Sequence, residues 1–458
     1  MALGFGLYFI SLRGWFPNLH DGKGFWHFIS DARAEHRDIA RLADLLREGK
    51  LSAWYQAPYA HFNPHQKMYS LSYYLFGDSP LAAIPVNLLA YLATVLLVYS
   101  IGKHLFNSKT GFYASLIVGL WPSFLVHTTH IGKEPFYVSG MLLFIIAVIL
   151  LVDSHDTGRR LVLIAVNALA GFFLVWLVRF YMIELMLALW AVGTGFVVIQ
   201  WLIRRRQQTA KVLLGLALSA VFGVMLRGTG PFGFEVVGSV KTRTQENQLR
   251  ALQRKLEKEG SKEGEITREM EVVSERLRTL QAAQEDFAYR HCGDERQVPA
   301  CWVMRIAYLR EEYLGLEDGG SNIDHDVMFY KPSDIFRYLP RALQIGFTAP
   351  FPNMWFANGR TVGRMGSLLA GLETALIYVG MVFVAICAWK ERRKPAVWAM
   401  MLFIVLGITM LGLVVANVGN LYRFRYIYWF LMVLLAVQGI FLSLKDTNKN
   451  ADLGQPAH

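Results

Sequence analysis

Apolar residues run in unbroken blocks along this chain instead of alternating with polar ones. "LAAIPVNLLAYLATVLLVYSI" (Leu81–Ile101) and "PFYVSGMLLFIIAVILLV" (Pro135–Val152) are two of them. A helix needs about 20 apolar residues to cross a hydrocarbon core. Only helices and closed barrels satisfy their backbone there, and unbroken runs point to helices. The pattern predicts nine spans, at 81–101, 111–128, 135–152, 161–178, 182–203, 211–226, 367–389, 396–416 and 426–444. No charged residue stands out in the middle of a span.

The connections carry basic clusters: "GKHLFNSKTG" after the first span, "DSHDTGRR" after the third, "RRRQQTAK" after the fifth, "KERRKP" after the seventh, and Lys445 and Lys449 after the ninth. If the spans alternate, all five fall on one side, which the positive-inside rule makes cytoplasmic. Residues 13–79, 129–134, 179–181, 227–366 and 417–425 then lie outside. The first twelve residues, "MALGFGLYFISL", are apolar but too short to cross. They read as the end of a tenth span or as an interfacial segment, and they fit a signal peptide poorly.

The expected fold is therefore an all-α polytopic membrane protein of about 9–10 transmembrane helices. Its organisation reads as an N-terminal segment with the first outer loop (1–79), transmembrane helices (80–226), a long outer loop (227–366), C-terminal transmembrane helices (367–445) and a cytoplasmic tail (446–458).

Composition agrees. Of 458 residues, 54% are hydrophobic and only 18% charged, against about 25% charged in soluble domains. The net charge of +11 in this setting reads as inside-positive loops plus an anionic ligand or lipid headgroup. No zinc-finger or RNA-binding signature is present, so nucleic acid is not an expected partner.

The long outer loop is polar, with sparse apolar residues at helical spacing. Leu249, Leu252 and Leu256 form one stripe; Ile266, Met270, Val273, Leu277 and Leu280 form another. "EGSKEGE" breaks the helix between them, which predicts an antiparallel helical hairpin over about 240–290. The hairpin reads as a spacer or protein-docking arm, or else as a lid over a substrate. Cys292 and Cys301 bracket a short outer loop and are the candidate disulfide. Cys387 lies inside a span as a packing residue. No metal-ligand spacing appears, and a divalent cation is allowed but not required.

Candidate chemistry gathers on the outer side. In "FISDARAEHRDIARLADLLREGK", a helix beginning near Asp31 puts Glu35 on the same face, with His36 next to it. Leu42, Leu45 and Leu46 give that helix an apolar side that suits the membrane surface. Asp31 reads either as a helix cap or as a general base. In "HTTHIGKEPF", Lys133 and Glu134 stand at a mouth between two spans, as an interfacial ion pair or as a donor-phosphate ligand beside a second acid. Arg179, in "VRFYMIE", is a turn residue or a phosphate ligand. Arg423 and Arg425, in "NVGNLYRFRYIYW", run against the positive-inside trend and suit a phosphate or lipid headgroups. "SDIFRYLPRALQIGFTAPFPNMWF" reads as an amphipathic surface helix that gives way at Pro340 to a Pro-broken turn.

These segments occur in a telling order. An outer Asp is followed by "YAHFNPHQKMYSLSYYLFG", then by "NLLAYLATVLLVYSIGKHLFNSKTGFYASLIVGLWPSFLVHTTHIGKEPF", and late in the chain by "RFR". In Pro64, Tyr69, Leu71, Leu75 to Gly77, Trp121, Pro122, Arg423 and Arg425 the chain resembles the bacterial GT-C membrane glycosyltransferases of the family 39 type, which share a plan with protein O-mannosyltransferases. The resemblance covers about 28–135 well and 345–445 loosely. It implies a GT-C-like fold, a polyprenyl-phosphate sugar donor, a glycan, lipid or protein acceptor, and inverting transfer at the outer face of a bacterial inner membrane. It makes Asp31 the base, with Glu35 and Glu134 as further catalytic candidates. His36, Tyr55, His61, Lys133, Arg179, Arg423 and Arg425 are the substrate-binding candidates. The alternatives are a lipid-linked glycan polymerase or ligase working through its arginines, and a non-enzymatic cell-envelope scaffold acting through the hairpin.

Overall fold

The computed structural model describes residues 2–15, 20–26, 32–57, 64–153, 158–179, 182–203, 209–228, 332–358 and 363–453, with isolated positions between 268 and 329. Every regular element among them is helical. Asp31, His61, Cys292, Cys301 and nearly all of the expected hairpin lie outside the described residues.

The helices are α1 (Ala2–Leu12), α2 (Ala32–Arg47), α3 (Leu51–Gln56), α4 (His65–Phe76), α5 (Ile84–Leu105), α6 (Ser108–Gly119), α7 (Pro122–His127), α8 (Glu134–Val152), α9 (Gly158–Arg179), α10 (Ile183–Ile203), α11 (Thr209–Gly228), α12 (Pro332–Thr348), α13 (Gly363–Lys390), α14 (Pro395–Val414), α15 (Val418–Phe424) and α16 (Tyr426–Leu453). Seven described segments are long and apolar enough to cross a membrane: Pro80–Leu105, Glu134–Val152, Gly158–Arg179, Leu185–Ile203, Gly363–Lys390, Pro395–Val414 and Tyr426–Lys445. The chain is a multi-pass membrane protein.

The expected span at 111–128 is not one helix. It divides at Trp121–Pro122 into α6 and α7. Proline lacks an N–H and pushes the residue before it out of the helical region, and Trp121 has an extended ψ of 112°. Twelve residues of α6 reach about 18 Å, short of a core about 30 Å thick. Together α6 and α7 return the chain along α5. The expected span at 211–226 is α11, whose apolar part is Thr209–Val224.

The chain divides into two units. One comprises Met1–Ala220, Phe351–Ile404 and Tyr426–His458, and the other Val221–Pro350 and Val405–Arg425. In the first, α8 is the axis, buried along almost its whole length. It packs on α5, α9 and α10. Glycines allow the close approaches: a Cβ on Gly171 would stand 2.6 Å from the Gly140 carbonyl, and one on Gly102 of α5 would stand 2.6 Å from the Gly111 Cα of α6. Small residues at helix contacts are the usual membrane solution.

The basic connections of this unit are tied to one another. His104 and Arg160 both reach Asp153, at 3.5 and 3.0 Å, and Lys211 donates to the Asp153 carbonyl. Lys394 donates to the Leu105 carbonyl at 3.0 Å, and Lys390 to that of Leu442 at 3.1 Å. These contacts gather the ends of α5, α8, α13 and α16 with the starts of α9, α11 and α14.

In the second unit, Arg310 is a buried clamp. Its guanidinium donates to the carbonyls of Leu413 at 3.0 Å and Asp324 at 2.9 Å, and to the Tyr338 hydroxyl at 3.2 Å. Arg341 grips the Asp324 carboxylate at 2.9 and 3.0 Å. Helix α12 continues through Pro340 to Thr348, where the sequence pattern predicts a break. The Pro340 ring lies on the exposed side of α12, away from its packed stripe of Ile335, Tyr338, Ala342 and Ile345.

Candidate active site

The amphipathic character of α2 decides its placement. Ile39, Leu42 and Ala43 are fully buried, while Arg33, Arg37 and Arg41 face outward. Leu42 packs with Ala57, Leu45 and Trp54, so the apolar side expected at the membrane surface is covered by α3. Arg47 anchors the far end of the helix with two bonds to Asp78, both 2.8 Å, and one to the Tyr73 carbonyl at 3.0 Å. The helix therefore lies on α4 with Glu35 turned toward the protein.

Glu35 is the centre of the site. Its Oε2 is 3.2 Å from Nε2 of His65 on α4, and its Oε1 is 3.5 Å from Nζ of Lys133. Burial works to raise its pKa, but His65 and Lys133 outweigh burial and hold the carboxyl below the usual range. His65 is completely buried, and burial pushes its own pKa down despite Glu35. Its Nδ1 has no hydrogen-bond partner among the described residues.

The segment carrying Lys133 is pinned from below. Asn87 of α5 donates to the His130 carbonyl at 2.6 Å. The buried Tyr69 hydroxyl donates to the Gly132 carbonyl at 2.8 Å and also bonds the Asn87 side chain. A Cβ at position 132 would stand 2.8 Å from Oε2 of Glu134, so the Glu134 carboxylate packs directly against this glycine. Glu134 opens α8 and is nearly fully buried. Its Oε1 accepts from Arg179 Nη2 at 3.1 Å, and the guanidinium lies over the Tyr137 ring at 5.0 Å.

Four of the expected residues thus meet: Glu35, Lys133, Glu134 and Arg179. The other expected residues make contacts of their own. His36 packs between Phe25 and Tyr73, with Nδ1 2.8 Å from the Tyr73 hydroxyl. Tyr55 is exposed on α3, with the Lys67 ammonium over its ring and bonded to its carbonyl. Arg423 and Arg425 belong to the second unit. Arg425 is fully buried, donates to the Gly346 carbonyl at 3.1 Å and lies over Tyr422, and Arg423 bonds the Asn420 side chain.

Some residues that carry the geometry are not evident as site residues from the sequence pattern. His65 and Asn87 give no motif of their own, and Tyr69 enters only as part of the family segment. Glu373 goes further and contradicts the expectation that no span holds a central charge. It sits inside α13, almost fully buried. Its carboxylate accepts from Trp121 Nε1 at 2.8 Å, Ser123 N at 2.8 Å and Ser123 Oγ at 2.6 Å. It caps the start of α7 where the Trp121–Pro122 break exposes backbone donors.

Among the described residues, no three His, Cys, Asp or Glu side chains converge as a metal site. The two carboxylates of the cluster are faced by Lys133 and Arg179.

Residues 66–226 match the family model described as dolichyl-phosphate-mannose-protein mannosyltransferase. Over this stretch, about a third of the chain, the sequence is similar to that family. The expected resemblance is found there. The matched stretch contains Tyr69, Asn87, Lys133, Glu134 and Arg179, and it begins one residue after His65. No curated protein matches the chain. Among solved structures, the crystal structure of ArnT from Cupriavidus metallidurans bound to undecaprenyl phosphate aligns at 15% identity and a TM-score of 0.34, over 93% of this chain and 77% of that one.

Proposed function

We propose that the protein transfers a sugar from a polyprenyl-phosphate donor to an acceptor at the extracytoplasmic face of a bacterial inner membrane. The observation that carries this reading is the Glu35–His65–Lys133 cluster, whose Lys133 lies within the segment that matches a dolichyl-phosphate-mannose-protein mannosyltransferase family. A cation beside a held carboxylate is the pairing that displacement of a sugar phosphate needs. The cation stabilises charge building on the leaving phosphate, and a carboxylate takes the acceptor proton.

In this reading Lys133 meets the donor phosphate. Asp31, one helical turn before Glu35 in sequence, is the base that removes the acceptor proton and gives inversion. Glu35 holds Lys133 and His65 and supports the same negative edge. Glu134 and Arg179 neutralise each other and set the wall behind Lys133. Arg423 and Arg425 take no part in this reading.

The test is complementation and donor turnover with Asp31→Asn at normal membrane level. Loss of product with full accumulation supports the transferase reading. Retained activity moves the base elsewhere. Retained Asp31→Asn activity that is instead lost on changing Arg423 or Arg425 favours an arginine-based polymerase or ligase.

A further inference from the structure

Well away from the Glu35 cluster, α8, α10 and α14 of the first unit enclose a cavity of about 330 Å³. Each helix contributes an apolar stripe at helical spacing. Val148 and Val152 come from the last turns of α8, Leu189, Gly193 and Phe196 from α10, and Trp398 and Leu402 from α14. Gly193 opens the space, since a Cβ there would already stand 3.2 Å from Val148. From Pro395 to Leu402 the cleft runs about 10 Å along α14, given the helical rise.

Arg392 and Arg393 line the same cavity, immediately before α14. Arg392 is held by a 2.8 Å bond to the Trp389 carbonyl and lies over the Trp389 ring. Arg393 makes no hydrogen bond or ion pair among the described residues. The neighbouring carboxylate, Glu391, is already engaged by Lys394 at 3.0 Å and by Gln438 at 2.9 Å. Among the described residues that line the cavity, no carboxylate answers its positive charge. Trp389 and Trp398 are both exposed, as interfacial tryptophans are. This arginine pair belongs to the basic connection tied to Leu105 through Lys394, at the opposite end of α8 from Glu134.

We infer that this cleft is a binding site for an anionic glycerophospholipid of the leaflet facing the basic connections. One acyl chain occupies the apolar cleft, and the phosphate sits between Arg392 and Arg393. The inference stands apart from the transferase reading, because it uses none of that site's residues. The charge selects the headgroup: basic pockets between membrane helices recognise anionic lipids, and a guanidinium fork matches phosphate oxygens. The apolar walls explain why the ligand is a lipid and not a free phosphate.

Native mass spectrometry of the purified full-length protein, equilibrated with phosphatidylglycerol or phosphatidylcholine, tests this. The expected result is one retained phosphatidylglycerol, preferred over phosphatidylcholine by roughly tenfold. Arg392→Gln with Arg393→Gln abolishes the preference. Gly193→Leu, which fills the cleft and leaves the arginines in place, abolishes retention. Equal retention of the two lipids by the wild type overturns the inference, as does unchanged retention in both variants. Retention of undecaprenyl phosphate stronger than that of phosphatidylglycerol, and lost in the arginine and Gly193→Leu variants, overturns the lipid class. If the arginine variant fails to accumulate, the Gly193→Leu result decides alone.

Discussion

The Lys133 ammonium stands 3.5 Å from the Glu35 carboxylate, and His65 closes on the other oxygen at 3.2 Å. Three segments distant in sequence, α2, α4 and the entry to α8, thus share one partly buried charge cluster. Removing the carboxylate charge while keeping its shape separates its role from packing. Glu35→Gln is expected to lower donor turnover by about 100-fold, with a donor KM close to that of the wild type and normal membrane level. A comparable loss in KM alone would instead make Glu35 a binding residue.

The buried Glu134–Arg179 pair behaves differently. Breaking one side leaves a buried charge unmatched, which costs about 3–5 kcal/mol. Arg179→Ala is therefore expected to lower the unfolding temperature in detergent strongly. Glu134→Gln with Arg179→Met, which removes both charges, is expected to recover most of it. Thermal unfolding of the purified variants checks this.

Glu373 holds together the break in the expected second span. Glu373→Ala leaves the Trp121 indole N–H and the Ser123 backbone and hydroxyl donors without their acceptor, a loss of about 2–4 kcal/mol. Glu373→Gln keeps an accepting oxygen and is expected to lose less than half of that. Comparing the unfolding temperatures of the two variants tests the capping role.

Helix contact at the glycines is tight enough to be felt. Gly102→Val places a methyl-bearing Cβ against the Gly111 backbone, and overpacking of this kind costs about 1–3 kcal/mol or more. A Cβ at Gly195 would meet open space, so Gly195→Ala is the matched control and is expected to be neutral in the same unfolding assay.

Stability should also depend on pH with a definite sign. Burial holds His65 below its ordinary 6.5, and burial with the His127 charge takes His130 to about 4. Both groups bind protons more readily when unfolded, so their stabilisation is full above pH 6.5 and is lost as pH falls through the folded values. Glu35 acts in the same direction below its ordinary 4.5. Unfolding temperatures measured from pH 8 to pH 4 should be level above 6.5 and then fall. His130→Gln should flatten part of that fall.

Much of this is legible in the chain itself. Long apolar runs locate α5, α8, α9, α10, α13, α14 and α16, because only membrane helices need them. The polar "GKEP" between two such runs locates Lys133 and Glu134, because charge at a membrane mouth is costly without a purpose. The break between α6 and α7 is signalled by Pro122 but hidden by the apolar residues on both sides of it. Glu373 gives no local sign, since its partners, Trp121 and Ser123, lie far back in the chain. His65 escapes for the same reason: its meaning comes from Glu35 on another helix. Sequence shows the charge of Arg423 and Arg425 but not that Arg425 is buried, with a hydrogen bond to the Gly346 carbonyl and its guanidinium over Tyr422.

The central claim is that the Lys133 end of the cluster serves a polyprenyl-phosphate sugar donor. Its most direct measurement is release of polyprenyl phosphate from the lipid-linked sugar pool by purified protein in nanodiscs, wild type against Lys133→Gln. The account predicts turnover by the wild type and a loss of about 100- to 1,000-fold in the variant, with an unchanged unfolding temperature. Equal turnover by the two proteins, or none by the wild type with its native lipid pool, would contradict it.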